Sequence, residues 1–187
     1  MVYNTKGESF LGIKNRYKII ILIDTREKRN ELIIDSFEKQ NIEYEYFQGG
    51  LLYGDYSAKV VFEDGKEVSL YRDIVIERKR ELTELSNTLT QGQRRFINEL
   101  ERAKFDRASV KLLIVDGDYY RNILEHNYRT KLEPDMFLKL LFKFQHEYHY
   151  DIVGLDERLS ASYIYRNIKA YVEDNIDSLR RIAVKGA

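Results

Sequence analysis

The residues with the clearest chemistry in this chain are Asp55, Glu77 and Lys79. Asp55 follows Gly54 in Leu-Tyr-Gly-Asp-Tyr and opens an extended segment. After a turn at Glu63-Asp64-Gly65-Lys66, a second segment reads Asp73-Ile74-Val75-Ile76-Glu77-Arg78-Lys79. Two strands paired through a tight turn bring a carboxylate at the start of one beside the residues ending the other. Alternation along a strand puts Glu77 and Lys79 on one face and Arg78 on the opposite one. The run Ile74-Val75-Ile76 suits a strand covered on both faces, and charge at the end of such a strand must be solvated or used. Two carboxylates on neighbouring strands can hold a hard divalent ion through oxygen. That ion would polarise a phosphoryl oxygen and lower the pKa of a bound water. A lysine beside the water can orient or deprotonate it and offset a negative transition state. The substrate to expect is a phosphodiester. The competing reading is a surface hairpin whose last turn carries solvated charge.

The elements that must position these groups can be read in order. Lys18 to Asp24 is a continuous apolar run and reads as a central strand. Arg29 to Gln40 has Leu32, Ile33, Ser36 and Phe37 at helical spacing. Asp24-Thr25-Arg26-Glu27 has the spacing of a capping box for that helix. Ile42 to Phe47 alternates as a second strand, and Gln48-Gly49-Gly50 turns the chain. Gly54, just before Asp55, suits a positive φ or a close backbone approach. Arg80 to Leu89 carries Leu82, Leu85 and Leu89 on one helical face. Gly92 interrupts, and Gln93 to Phe105 continues with Phe96, Leu100 and Ala103 inward. Arg94 and Arg95 lie on the polar side of that helix, where either could meet a phosphate.

Ser109 to Asp116 is another buried strand, and Asp116-Gly117-Asp118 reads as its closing turn. Tyr119 to Glu125 is a short helix. Pro134 sits at the first position of a helix through Tyr148. Asp151 to Gly154 is the last strand, followed by two helices, Ser160 to Val172 and Asp174 to Ile182. His146 and His149 lie three apart, a metal-ligand spacing on a helix, but no third ligand accompanies them. Alternating strands and helices imply a three-layer α/β/α sandwich with a mixed central sheet.

The order of these pieces resembles the XPF-type nuclease family, a branch of the restriction-endonuclease-like fold. Gly54-Asp55, a strand pair, then Val75-Ile76-Glu77-Arg78-Lys79 matches its Gly-Asp…Glu-Arg-Lys signature. Asp24-Thr25-Arg26-Glu27 matches its opening Asp-x-Arg-Glu, and Gly92-Gln93-Arg94 is similar to its Gly-Arg helix. The resemblance covers nearly the whole chain. It departs after Lys79, where Thr83 stands in the place of a family Asp, with Glu84 as the possible substitute. The resemblance implies a Mg²⁺- or Mn²⁺-dependent endonuclease acting on flaps, forks or junctions in repair or recombination. It implies that Asp55 and Glu77 hold the metal, with Asp24 assisting and the Arg78 carbonyl completing the shell. Lys79 would position or activate the water. Arg26 and Arg78 would support phosphate binding or site geometry, beside Glu27. It also implies a homodimer or heterodimer through the nuclease domain.

Length and composition bound these readings. The 187 residues allow one compact domain, expected over 17–187, behind an irregular lead-in at 1–16. The chain is 43% hydrophobic and 33% charged, with a formal net charge of zero, so DNA contact must come from a local basic patch. It has no cysteine, which excludes disulfides, thiolate metal sites and a cysteine nucleophile, and suits a reducing cytoplasm. No stretch is apolar enough for a membrane span, and no Gly-rich phosphate loop suggests a nucleotide cofactor. The family's helicase domain and tandem helix-hairpin-helix module find no counterpart in this sequence. A bacterial or phage source is therefore expected, with DNA affinity weak or supplied by a partner. Two alternatives remain: a non-catalytic DNA-binding or scaffolding subunit of a nuclease pair, and a resolvase or restriction-type nuclease of the same fold.

Overall fold

The computed structural model describes residues 17–185, so the expected lead-in over 1–16 lies outside the described residues. The first element is β1 (Tyr17–Asp24), whose last six residues are all buried. It is followed by α1 (Glu31–Lys39), which turns Ile33 and Phe37 inward. Next come β2 (Tyr44–Phe47), β3 (Tyr56–Phe62) and the short β4 (Glu67–Ser69). Then follow β5 (Ile74–Lys79), α2 (Leu82–Leu89) and α3 (Gln93–Asp106). The chain continues through β6 (Ser109–Ile114), α4 (Tyr119–Leu124), α5 (Pro134–Tyr148), β7 (Asp151–Gly154) and α6 (Glu157–Lys185).

The strands form one mixed sheet in the order β2-β1-β3-β5-β6-β7, with β4 paired to β3 outside that path. β3 runs antiparallel to β1 and β5, while β2 is parallel to β1 and β6 and β7 continue parallel to β5. One face carries Ile19, Ile21, Ile23, Tyr56, Ile74 and Ile76 and is covered by α1 and α6. The other carries Val75, Leu112 and Ile114 and is covered by α2, α3 and α5. The three-layer α/β/α architecture with a mixed sheet is thus present. Alternation explains it: Ile74 and Ile76 face one layer and Val75 the other, so β5 needs apolar residues on both sides.

Four local readings differ from this architecture. The turn at Glu63–Lys66 leads into β4, and the chain needs a second turn before β5 returns beside β3, with Tyr56 opposite Ile76. The second strand begins at Tyr44, because Asn41 has φ 53° and Ile42 is drawn into the core next to α1. The two expected C-terminal helices are one helix of 29 residues. Ile164, Ile168, Val172, Ile176, Leu179 and Ala183 keep helical spacing across Glu173-Asp174, and nothing there breaks it. His149 is the C-cap of α5 with φ 54°, so it does not share a helical face with His146. Among the described residues, no helix is long and apolar enough to cross a membrane.

Candidate active site

Asp55 sits where three strands meet. Its amide donates to the Ile76 carbonyl of β5 at 2.9 Å, and its own carbonyl accepts from the Asp24 amide of β1 at 2.8 Å. Gly54 makes this possible. It has φ +72°, and a Cβ there would lie 2.9 Å from the Val75 Cβ. The Asp55 carboxylate accepts from the Arg78 amide through Oδ2 at 2.7 Å. The expected neighbourhood of Asp55 and the end of the Glu-Arg-Lys strand therefore holds, although the connection is longer than a hairpin.

Glu77 and Lys79 share the face covered by α2 and α3. Lys79 Nζ donates to Glu77 Oε1 at 2.5 Å, and lies 3.7 Å from Glu84 Oε1 and 6.0 Å from the centre of the Phe96 ring. Burial opposes charge on Lys79, but the Glu77, Asp55 and Glu84 carboxylates outweigh it and hold the ammonium above its ordinary pKa. Burial and the nearby Glu77 and Glu27 carboxylates push Asp55 well above the usual carboxylate range, against the pull of Lys79. Burial and the neighbouring Glu77 carboxylate thus oppose ionisation of Asp55, a penalty that a bound cation would relieve.

The donor set suits a hard cation. One oxygen of Asp55 takes the Arg78 amide and one oxygen of Glu77 takes Lys79, which leaves the second oxygen of each carboxylate. Among the described residues, no cluster of three or more His, Cys, Asp and Glu side chains is arranged around a metal position. Two carboxylates and a backbone carbonyl fit Mg²⁺, which keeps several waters and is commonly held by one or two carboxylates.

Asp24, expected to assist the metal, has its oxygens occupied by protein donors in this structure. Its Oδ1 accepts from the Arg26 amide at 2.6 Å and Arg26 Nε at 2.9 Å, and its Oδ2 from Arg26 Nη2 at 2.7 Å and the Leu51 amide at 2.6 Å. Each oxygen accepts two hydrogen bonds, and through the Leu51 amide Asp24 anchors the loop from Gln48 to Tyr53. Burial works against its charge, but these donors outweigh it and keep the carboxyl below its ordinary pKa. The capping box fails for the same reason. α1 begins at Glu31 with Asn30 as N-cap, and no side chain caps it.

Arg78 points away from Asp55 and Glu77, through the sheet. Its side chain is 1% exposed and pairs with Glu27 at 2.8 Å and Glu157 of α6 at 3.2 Å. Glu27 also accepts from the Tyr56 hydroxyl at 3.2 Å. Of the two roles expected for the Arg78 side chain, this supports site geometry and not a phosphate contact. Arg26 remains 67% exposed despite its pair with Asp24, and its Nη2 also donates to the Leu51 carbonyl at 2.7 Å. Arg94 and Arg95 are exposed in the first turn of α3. Arg95 reaches Glu99 at 3.5 Å.

Glu99 was not among the expected site residues; the sequence suggested only a surface charge offsetting the arginines of α3. It lines a crevice with Glu77, Tyr53, Gly54 and Phe96. Burial and the Glu77 carboxylate push its pKa up, while Arg95, Lys79 and Arg26 pull it down. The signal for it was available: Glu99 lies three residues after Phe96 and four before Ala103, so it is a charge on the inward face of α3. Glu84, offered as the substitute for the family Asp, does reach Lys79, and its Oε2 also accepts from the Arg80 amide at 3.0 Å.

Known proteins share this frame. XPF from Aeropyrum pernix in complex with DNA superposes with a TM-score of 0.59 at 17% identity, over 84% of this chain and 66% of that one. A second structure of XPF from Aeropyrum pernix gives 0.57 at 18% identity, over 80% and 65%. The chain thus spans just under two thirds of the length of those relatives, and at this identity the likeness speaks to fold alone. Comparison with curated protein sequences gave no match. The model of the ERCC4 domain matches residues 23–167, from the end of β1 into α6. With Asp55, Glu77 and Lys79 gathered at one sheet end inside that span, the chain belongs to the ERCC4 domain family and has the XPF-type nuclease fold.

Proposed function

We propose that this chain is a Mg²⁺- or Mn²⁺-dependent endonuclease that hydrolyses phosphodiester bonds in branched DNA, such as flaps, forks or junctions. The observation that carries the reading is the Asp55 carboxylate, held by the Arg78 amide beside Glu77 and Lys79 at the end of β5. Asp55 and Glu77 are the residues that would hold the ion, with the Arg78 carbonyl as the further oxygen donor. When bound, the ion supplies Lewis-acid polarisation of the phosphodiester and a water activated near neutral pH. Lys79, charged and fixed by Glu77, orients the attacking water and offsets charge developing on the phosphate. Arg78 and Glu27 brace β5 from the opposite face, so the Arg78 amide stays aimed at Asp55. The exposed Arg26, Arg94 and Arg95 are the cations that take the DNA backbone in this reading.

The Aeropyrum pernix relative, seen in complex with DNA, supports DNA as the ligand. Pairing through the nuclease domain, implied by the family likeness, has a candidate surface in Tyr120, Leu124 and Met136 on α4 and α5, which are 50%, 49% and 44% exposed. The test is cleavage of labelled flap, fork, four-way junction and plain duplex DNA with Mg²⁺, Mn²⁺ or EDTA. Metal-dependent cutting of the branched substrates that Asp55→Asn abolishes is expected. Equal cutting of plain duplex would point to a restriction-type nuclease. No cutting, with salt-sensitive DNA binding intact, would point to a non-catalytic subunit.

A further inference from the structure

The apolar cluster beneath the helices on the catalytic face takes no residue from β1 or β2, and on that face β1 is nonetheless buried at Leu22 and Asp24. Residues of the edge strand β2 that face the same side are set by alternation. Tyr44 packs with the α1–α6 layer, and Tyr46 lies against Tyr44. Glu45 therefore points to the other face, where Lys59 reaches it at 2.9 Å, and so does Phe47. Phe47 does not stand alone there. Its ring lies 5.2 Å from that of Tyr71, tilted by 37°. The Arg72 guanidinium lies 5.6 Å from the Tyr71 ring centre and keeps its side chain 58% exposed, with only a 3.9 Å contact to Asp106. Both rings are partly exposed.

This group is tied to the catalytic centre by the backbone. Phe47 is in register with Asp24 across β1 and β2, and the Asp24 amide donates to the Asp55 carbonyl. The loop between them is held by hydrogen bonds: Asp24 accepts from the Leu51 amide, Arg26 donates to the Leu51 carbonyl, and Arg102 donates to the Leu52 carbonyl at 3.4 Å. Arg26 and Arg102, which hold this loop, are themselves exposed. Partly exposed aromatic rings interleaved with arginines are what single-stranded nucleic acid binds, because every base has a face to stack and every nucleotide a phosphate.

We propose that Phe47 and Tyr71, with Arg72, form a stacking platform for unpaired bases of a DNA strand leading to or from Asp55. The proposal rests on the nuclease reading and deepens it, because a platform for unpaired bases beside the site would favour branched substrates over plain duplex. The test uses the full chain in EDTA, where no cutting occurs. Binding of a fluorescent oligothymidine and of a plain duplex is measured by anisotropy for wild type, Tyr71→Ala, Tyr71→Phe and Arg72→Gln. Tyr71→Ala should weaken oligothymidine binding by about 5- to 150-fold and leave duplex binding nearly unchanged, while Tyr71→Phe should stay close to wild type. Arg72→Gln should weaken it less.

In parallel, an oligonucleotide carrying 5-iodouracil is photo-crosslinked to the wild-type chain, which needs no substitution to fold. Crosslinks at Phe47 or Tyr71 are expected. Equal oligothymidine binding by wild type and Tyr71→Ala would overturn the platform, as would Tyr71→Phe failing as badly as Tyr71→Ala, or crosslinks confined to other residues. Metal-dependent cleavage without those crosslinks would overturn the platform and leave the nuclease reading standing. The crosslinks without cleavage would support the platform and count against the nuclease.

Discussion

Arg78 is the residue whose two expected roles separate most sharply by experiment. Its side chain is 1% exposed, its Nη1 lies 2.8 Å from Glu27 Oε1, and Glu27 is itself only 12% exposed. The second contact, to Glu157, is longer, and Glu157 is 41% exposed, so most of the buried charge balance is between Arg78 and Glu27. Arg78→Met keeps the length and most of the apolar volume but removes the guanidinium. It leaves Glu27 buried with only the Tyr56 hydroxyl as a partner. Removing one member of a buried ion pair costs about 3–5 kcal/mol, because the remaining charge stays desolvated. In a domain of this size that corresponds to a fall in Tm of about 6–20 °C. The assay is thermal unfolding of wild type, Arg78→Met, Glu27→Gln and the double variant. The double variant should recover part of the loss, since the orphaned carboxylate is gone. DNA affinity of the folded Arg78→Met protein should keep its salt dependence, because the side chain faces α6 and not the DNA side. A Tm shift below about 2 °C together with a weaker salt slope would refute the bracing role and return Arg78 to the phosphate contacts.

Further expectations concern the neighbours of Asp55. Gly54→Ala must place a Cβ 2.9 Å from the Val75 Cβ at φ +72°. The left-handed backbone alone costs about 1–2 kcal/mol, so Tm should fall and cleavage should fall with it as Asp55 shifts. Asp24→Asn loses the charge that takes both Arg26 and the Leu51 amide. Hydrogen exchange at the Leu51 amide should quicken while Mn²⁺ affinity, read by titration, changes little; a lost Mn²⁺ site with unchanged exchange would restore Asp24 to the metal shell. Asp64 in the β3–β4 turn is gripped by both Arg180 Nη atoms at 2.9 Å, and that bond lowers its pKa to about 2. A depressed carboxyl adds stability above its unfolded pKa and loses it as pH falls toward the folded one. The Tm gap between wild type and Asp64→Asn should therefore be full at neutral pH and shrink as pH falls from 5 toward 3, about where a free carboxylate takes up its proton. A gap that does not change with pH would mean that the ion pair contributes nothing.

How much of this was legible in the sequence depends on how local the cause is. Ile74-Val75-Ile76 announced a strand with two covered faces, and alternation alone put Glu77 with Lys79 and against Arg78. Phe96, Leu100 and Ala103 marked the inward stripe of α3. Gly54, between a turn and an acid, suited a positive φ or a close backbone approach, and the structure has both. These follow from period, φ preference and charge, which are properties of a few adjacent residues. Other features belong to the assembled fold. Asp24 and Glu27 have capping-box spacing, yet the arriving Gln48–Tyr53 loop gives Asp24 the Leu51 amide, and β5 delivers Arg78 to Glu27. Those partners lie 27 and 51 residues away in the chain, beyond any local pattern. His149 lost its helical pairing with His146 because α5 ends in a left-handed C-cap. The last helix runs unbroken because its apolar stripe continues, but only the sheet face beneath it shows that all six positions have something to bury against. Glu99 became part of the site when α3 packed over β5 and brought a charge on an apolar face beside Glu77. The sequence by itself singled out Asp55, Glu77 and Lys79 as candidates and the strand that aligns Glu77 with Lys79. Tertiary structure decided which carboxylates keep an oxygen unpaired and which are already satisfied, because hydrogen-bond saturation and burial depend on partners that only the folded chain brings within reach.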